Sequence, residues 1–350
     1  MIVEILQRKI MKYINVFTSC LVGLLLMMGI STAFSAENSQ ELNYGMGILN
    51  IRSQSVAQSF RLTLPFFVPG DIKQGWQTFA HANWTNVWAQ EKGYVLDYEM
   101  LDSSLGFSYG FNQRLGMGIL VDSRSCFGGE MDGFIQGFHD FFNIDQNNRD
   151  EYSKGMAVIS AYNPETGELI SQHSARELNN SGLNFFMNYN FIHSNRVLPA
   201  LNIYCVARYA LESPDIITRG NGLDLGLGIG LAKRWSSNFY TYGIAGYTLF
   251  DDDQGALQKD VLKLKDQLFT GLFVMGYRMS QNITILAQYL YSTSVVEDLT
   301  GLDEPSHEVQ FGLKLRLGEK TMMNFSIIEN IINMDNGPDF GIHLGWSLEL

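Results

Sequence analysis

The residues best suited to acid–base chemistry lie together in one aromatic-rich stretch, GGEMDGFIQGFHDFFNI, residues 128–144. Glu130, Asp132 and His139 are types that transfer protons or bind metal ions, so a surface enzyme that modifies lipids could use His139 with Asp132. The apolar residues of the stretch follow the spacing of one helix face, which could either cap a barrel or touch lipid. We favour a structural role, because His139 lacks a nucleophile partner and the spacing of a metal site. No catalytic, metal or cofactor site is therefore assigned.

A second set of polar residues alternates with apolar neighbours in several separate segments. Its members are His81, Asn83, Asp97, Glu99, Arg208, Glu212, Asp224, Lys314, Arg316 and His343. A period of two places them on the wet face of extended strands, so we predict that they line the lumen of a barrel. Because both signs of charge are present, they could pair across that interior or line a path for small solutes.

Two further features exclude other classes of chemistry. The run GLGIG at 226–230 resembles a phosphate loop, but it lacks the following Lys-Ser/Thr pair and lies inside an alternating strand. The formal net charge of −12 argues against nucleic acid as a partner.

The alternation of apolar and polar residues recurs along the chain and runs to its last residue in DFGIHLGWSLEL, 339–350. Such segments are longer than ordinary strands and match tilted strands that cross a hydrocarbon layer. Twelve are predicted, at about 74–88, 94–110, 113–124, 182–193, 197–212, 221–235, 238–250, 266–279, 282–294, 306–318, 321–333 and 339–350.

The connections between these segments alternate between tight turns such as GEK and long polar loops such as ESPDIITRGN. This asymmetry is typical of outer-membrane barrels. A thirteenth membrane strand near 155–160 would move the tight turns to the other side midway along the chain, so we interpret that region as a hairpin. We therefore predict an all-β fold: a transmembrane antiparallel β-barrel of about 12 strands at 74–350. A short helix and a hairpin lie in its long extracellular excursion, 126–181.

The N-terminus has the order of a secretory signal. Basic residues precede an apolar run, and small residues follow it before a polar start, so residues 1–36 are predicted to be a cleaved signal peptide that starts at Met1 or Met11. Residues 37–73 are then either a periplasmic lead-in or a plug that folds inward, where Arg52 and Arg61 would suit an acidic lumen. The predicted location is the bacterial outer membrane.

Several stretches together carry a family resemblance. They are GILNIRSQSVAQSFRLTLPFFVPGDI, NWTNVW, LDYEMLDSSLGFSYGFNQRLGMGI, GGEMDGFIQGFHDFF, Arg149 and PDFGIHLGW. With them the chain resembles a bacterial family known as domain of unknown function 3187, over most of its length after the signal. The resemblance implies an outer-membrane-type β protein, and it brings no established activity.

The function predicted from these observations is an outer-membrane, porin-like barrel that forms a narrow channel or a binding barrel for small solutes. Its partners would be outer-membrane lipids, the barrel-assembly machinery during biogenesis, and a small solute, with no nucleic acid and no cofactor. Two alternatives stay open: the surface lipid-modifying enzyme that uses His139 and Asp132, and a structural barrel without catalysis. We favour a protein that is not an enzyme.

Overall fold

The computed structural model describes residues 44–129, 131–133, 137, 155–194, 197–214, 222–251, 263–332 and 334–350. Their regular structure is predominantly extended. The strands in chain order are β1 (Gly75–Glu91), β2 (Tyr94–Gly110), β3 (Leu115–Phe127), β4 (Val158–Tyr162), β5 (Leu169–Ser174), β6 (Asn180–Ile192), β7 (Ala200–Glu212), β8 (Leu223–Arg234), β9 (Phe239–Leu249), β10 (Lys263–Leu264), β11 (Gln267–Arg278), β12 (Ile283–Ser292), β13 (Val296–Glu297), β14 (Ser306–Arg316), β15 (Thr321–Ile332) and β16 (Phe340–Glu349).

Twelve of these strands form one closed antiparallel barrel. The order around the wall is β1, β16, β15, β14, β12, β11, β9, β8, β7, β6, β3 and β2, and β2 pairs with β1 to complete the circle. The last strand pairs with the first, from Glu349 opposite Gln77 to Phe340 opposite Asn86. Closure pairs both edges of the sheet, as a strand structure in lipid requires. The predicted twelve-stranded barrel is confirmed.

The outer surface of the barrel is a band of apolar side chains. Along each strand, half-exposed large residues alternate with buried ones, so that Leu227 is 44% exposed between two buried glycines. Other members of the band include Phe107, Ile119, Phe185, Phe273, Phe311 and Leu344. So large an apolar surface is stable in hydrocarbon and not in water, and the barrel therefore spans a bilayer. None of the described helices is long and apolar enough to cross a membrane.

The two ends of the barrel differ. At the short-turn end, four-residue connections at 111–114, 235–238, 279–282 and 317–320 join neighbouring strands, and β1 begins beside the end of β16. At the opposite, long-loop end, β1 and β2 continue past their other partners. There β4 takes over from β3 beside β2, pairing Val158 with Asp97, and β4 forms a hairpin with β5. The short strands β10 and β13 pair with each other; β10 lies in the loop before β11, and β13 lies in the loop after β12.

Residues 44–73, which we term the inner segment, lie inside the barrel. The segment rises from the short-turn end, turns through a single helical turn at Ala57–Ser59 near the long-loop end, and returns to begin β1. Its apolar residues join two buried clusters formed with inward-facing wall residues, one around Leu49 and one around Phe60. The core of the protein is thus the filled lumen.

Candidate functional site in the barrel lumen

Alternating arginine and aspartate side chains run across one side of the lumen. Arg52 of the inner segment donates from Nε to Asp102 Oδ2 over 2.8 Å and from Nη1 to Asp122 Oδ2 over 3.1 Å. On the wall, Arg124 donates to Asp102 over 2.9 Å and Arg208 donates to Asp122 over 2.9 Å. All five side chains are buried. Because buried charges are stable only when they are paired and hydrogen-bonded, this network ties the inner segment to β2, β3 and β7.

Side chains from another part of the wall bind the backbone of the inner segment. Lys314 Nζ donates to the carbonyl oxygen of Met46 over 2.8 Å and to that of Ile48. Gln288 accepts from the N–H of Leu49 over 2.7 Å and donates back to the carbonyl of the same residue over 3.2 Å. These contacts satisfy backbone groups that the lumen shields from water. The segment is therefore held by β12 and β14 as well.

Near the long-loop end, Glu308 of β14 and Asn336 of the β15–β16 connection hold the turn of the inner segment. The carboxylate of Glu308 accepts from the N–H of Gln54 over 3.0 Å. The side-chain oxygen of Asn336 accepts from the hydroxyl of Ser55 over 2.6 Å and from the N–H of Ala57 over 2.9 Å. Polar contacts thus hold the rising part of the segment, and apolar residues such as Phe67 and Val68 pack its returning part against the wall.

Most of the predicted lumen residues lie on inward faces of the wall. Those that are buried there are His81, Asn83, Arg208, Asp224, Lys314 and His343. Arg316 is half-buried beside the lumen near the short-turn end, whereas Glu212 is exposed at the other end of β7. His343 hydrogen-bonds through Nδ1 with the side-chain amide of Asn83 at 2.6 Å and through Nε2 with that of Asn324.

The prediction that Asp97 and Glu99 line the lumen is wrong. In β2 they stand opposite Trp88 and Asn86 of β1, on the outward face that also carries Trp84. Both are nevertheless buried, and Glu99 accepts a hydrogen bond from the indole N–H of Trp84. The physical reason is that β1 and β2 extend beyond the lipid band, where residues of the excursion such as Met131 and Asp132 cover their outward face. Buried carboxylates there do not mark the inward face.

Of the three acid–base candidates, the structure describes Asp132. Glu130 and His139 lie outside the residues that the structure describes. Asp132 accepts from the N–H of Gly155 over 2.6 Å and from Asn86 Nδ2 over 3.2 Å, so its carboxylate joins the excursion to β1. Across the described ranges, no group of three or more His, Cys, Asp or Glu residues could hold a metal ion.

One serine lies in the spacing of a hydrolase nucleophile, because residues 106–110 read GFSYG. Ser108 is in the middle of an extended run of β2, opposite Gln77 of β1, and its hydroxyl donates to Gln77 Oε1 over 3.4 Å. A nucleophile elbow needs a sharp turn from strand to helix. Gly106, Ser108 and Gly110 are small inward residues at alternate positions of a barrel strand, and Ser108 is not in a nucleophile elbow.

Sequence reasoning does not single out Asp102, Asp122 and Arg124, although they form the centre of the ion network. The alternation of inward and outward residues could have identified them. In the register of β2 on β3, Asp102 lies opposite Arg124 and Ser104 lies opposite Asp122, all on the inward face. Finding them requires the register of β2 on β3, which the short turn between those strands determines.

A cavity of about 150 Å³ lies below the ion network, toward the short-turn end. The inner segment forms one side of it, and inward residues of β1, β2, β3, β6, β14, β15 and β16 form the other. Its charged lining residues are Arg52, Asp71, Lys73, Asp102, Asp122, Lys314, Arg316 and Glu349, which balance in sign. The charges of the wall and the inner segment thus line a small compartment without net charge.

Comparison with solved structures finds several membrane proteins. An outer-membrane channel from Pseudomonas putida F1 is 10% identical, with a TM-score of 0.49, over 81% of this chain and 99% of that chain. The KdgM porin in complex with disordered oligogalacturonate is 6% identical, with a TM-score of 0.40, over 78% and 99% of the two chains. The toluene transporter TodX of Pseudomonas putida is 11% identical, with a TM-score of 0.37, over 85% and 93%.

None of the curated proteins matches the chain. A family model does, over residues 24–349, and its description is "Protein of unknown function (DUF3187)". The match spans the inner segment and every strand of the barrel. The chain belongs to the DUF3187 family.

Proposed function

We propose that this protein is an outer-membrane barrel for small solutes, in which the inner segment acts as a plug. The observation that supports this most is the position of residues 44–73 inside a closed barrel, bound to the wall by Arg52 and by backbone contacts to Lys314 and Gln288. Solutes enter the cavity from the short-turn end, and passage through the barrel requires the plug to shift. The lipid-facing band contacts outer-membrane lipids.

The polar part of the plug contacts favours movement over permanent sealing. Ion pairs and hydrogen bonds exchange with water at a small net cost, because water replaces the lost partners once the lumen is hydrated. The apolar contacts of the plug around Leu49 and Phe60 have no such replacement, so they limit how far the plug moves. The network of Arg52 with Asp102 and Asp122 is therefore suited to a contact that opens and reforms.

Export and assembly complete the proposal. Residues 1–36 direct secretion and are then removed, and the barrel-assembly machinery inserts the chain. The pairing of β16 with β1 is the step that closes the wall.

Single-channel conductance in planar bilayers tests the plug. Ser53 of the plug and Ser292 of β12 have hydroxyl oxygens 3.4 Å apart, so cysteines at both positions can be linked. The variant carries Ser53→Cys and Ser292→Cys together with Arg52→Met, Cys126→Ser and Cys205→Ser. We expect it to conduct when reduced and to fall silent when oxidised, because the link holds the plug against the wall.

The matched control lacks Ser292→Cys and should conduct in both redox states. Equal conductance of the linked and the reduced barrel would contradict the proposal that the inner segment acts as a plug. Silence of every variant, with heat-modifiable migration on a gel showing that each is folded, would instead identify a sealed structural barrel. The enzyme alternative has no support from the described contacts of Asp132, which joins the excursion to β1.

A further inference from the structure

One histidine in the cavity at the short-turn end has unmet hydrogen-bonding capacity. The side chain of His81 in β1 is 8% exposed and lines the cavity. Neither of its ring nitrogens has a hydrogen-bond partner among the described residues. This differs from its neighbour His343, whose two nitrogens both bind asparagine amides.

An unsatisfied imidazole in such a place points to a ligand group. A neutral imidazole donates from one nitrogen and accepts at the other, and a buried polar atom without a partner destabilises the fold. A molecule that brings a hydroxyl or an amide into the cavity removes that cost. Ordered water could do the same, so the rest of the lining has to decide which molecule fits.

The lining beside His81 is a continuous row of aromatic rings. The Phe67 ring stacks on that of Phe186 with centroids 4.6 Å apart, and Phe186 lies 6.3 Å from Phe79. The Phe79 ring lies 5.8 Å from the imidazole of His81. Phe67 belongs to the inner segment and the other rings to the wall. A flat apolar body would lie against these rings with its polar end at His81.

The charges in the cavity argue against an ionic ligand. Arg52 is bound to two aspartates, Lys73 pairs with Glu349, and Lys314 donates to two backbone carbonyls. These groups have their partners already, so an ion would gain little from them while losing its hydration. Arg316, a further cation of the lining, is half-buried at the short-turn end, where water screens its charge. The lining therefore favours an uncharged ligand.

The size of the cavity limits the ligand to about one ring. A volume of about 150 Å³ is comparable to that of an apolar cavity in another protein that accommodates benzene. We propose that the cavity binds a small uncharged molecule with one aromatic ring and one hydroxyl group, whose hydroxyl hydrogen-bonds to His81. This names the solute class of the lumen, and its biological meaning rests on the proposed function above.

Phenol is the probe ligand. Toluene is the comparison ligand, because it has a similar shape but lacks the hydroxyl group. Both are titrated into the full protein in lipid nanodiscs while the imidazole signals of ¹⁵N-histidine are followed by NMR, with empty nanodiscs to correct for partition into lipid. We expect phenol to shift the His81 resonances and to bind about tenfold more tightly than toluene, since one hydrogen bond separates the two ligands. Benzoate, which carries a charge, should bind more weakly than phenol.

Variants of the cavity distinguish binding at His81 from partition of the ligands into lipid. His81→Phe should abolish the preference for phenol over toluene, and His81→Gln should keep part of it because an amide both donates and accepts. Ser104→Phe, opposite His81 in the register, should fill the cavity and exclude both ligands. His173→Phe in the distant β5 is the matched control and should bind as the wild type does.

Each outcome decides the proposal. Unchanged His81 resonances at saturating phenol would mean that water alone satisfies the ring, and equal phenol and toluene binding would remove the role of the hydroxyl. Tighter benzoate binding would show that Arg316 selects anions and would overturn the uncharged class. Phenol binding by a barrel that never conducts would uphold this site and overturn the solute pathway, whereas conductance without phenol binding would do the reverse.

Discussion

Arg52 of the inner segment and Asp102 of the barrel wall form an ion pair, with Arg52 Nε 3.0 Å from Oδ1 and 2.8 Å from Oδ2 of Asp102. They are 50 residues apart in sequence and lie in different layers of the protein. Asp102 also accepts from Gln54 Nε2 over 2.9 Å, so a single wall carboxylate holds two residues of the inner segment. Loss of this link should therefore affect both the stability of the fold and the closure of the lumen.

Replacing Arg52 by Met tests that link. The change leaves the buried carboxylates of Asp102 and Asp122 without their shared cation, so we expect the free energy of unfolding to fall by about 3 kcal/mol. The open fraction in conductance recordings should rise at the same time. Urea unfolding in lipid vesicles and single-channel recording measure the two effects.

The control for this prediction is Arg234→Met, since Arg234 is exposed at the short-turn end of β8. It should change stability by less than about 0.5 kcal/mol. A double-mutant cycle with Asp102→Asn should show coupling above about 1 kcal/mol, and additive effects would contradict the proposed link.

A pair of glycines tests whether the plug packs tightly against the wall. A Cβ on Gly226 of β8 would lie 2.6 Å from Leu64 Cδ1 of the inner segment, whereas a Cβ on Gly243 of β9 meets nothing within 4 Å. Gly226→Val should destabilise the barrel by about 1–3 kcal/mol through overpacking and should loosen the plug. Gly243→Val, on the lipid-facing side, should be nearly neutral. If urea unfolding and conductance show equal effects for the two variants, the plug does not fill this part of the lumen.

A charge on the outer face tests the membrane placement of the barrel. Leu227 lies midway along β8 and is 44% exposed, and Leu317 lies in a short turn and is 55% exposed. Leu227→Arg should lower the free energy of unfolding in vesicles by about 2–4 kcal/mol, and Leu317→Arg by about 0–1 kcal/mol, because the cost follows depth in the bilayer. Equal losses at the two positions would contradict a band of lipid at the level of Leu227.

Local periodicity was enough to predict the barrel wall. Each wall strand needs one face in lipid and one face in the lumen, and this requirement appears in the sequence as alternation, for example from Leu223 to Leu231 in β8. The ends of strands are less well predicted: β1 continues to Glu91, beyond the predicted residue 88, because its upper part pairs with β2 outside the lipid. There both faces are buried and the alternation carries no information about the lumen.

The interior could not be predicted in the same way. The contact of Leu49 with Gln288 joins residues 239 positions apart, and no local pattern encodes such a pairing. The sequence of the inner segment is compatible with a lead-in outside the barrel, and its position depends on complementarity between Arg52 and wall carboxylates from two different strands. His81 is recognisable in advance as a polar inward residue, but that its ring nitrogens have no hydrogen-bond partner in the described part of the chain depends on the positions of its neighbours in three dimensions.

The closing seam of the barrel provides the last prediction, through His343 of β16. Its imidazole joins Asn83 of β1 at 2.6 Å and also binds Asn324 of β15, so one buried side chain links three adjacent strands across the point of closure. His343→Leu removes both hydrogen bonds but leaves the two amides buried, and we expect a loss of about 1–3 kcal/mol in the free energy of unfolding. His343→Gln should recover part of this loss, because its amide can bind one of the asparagines. His173→Leu in the half-exposed hairpin is the control and should unfold at nearly the same urea concentration as the wild type. A seam variant as stable as the wild type would show that backbone pairing between β1 and β16 closes the barrel without help from this histidine.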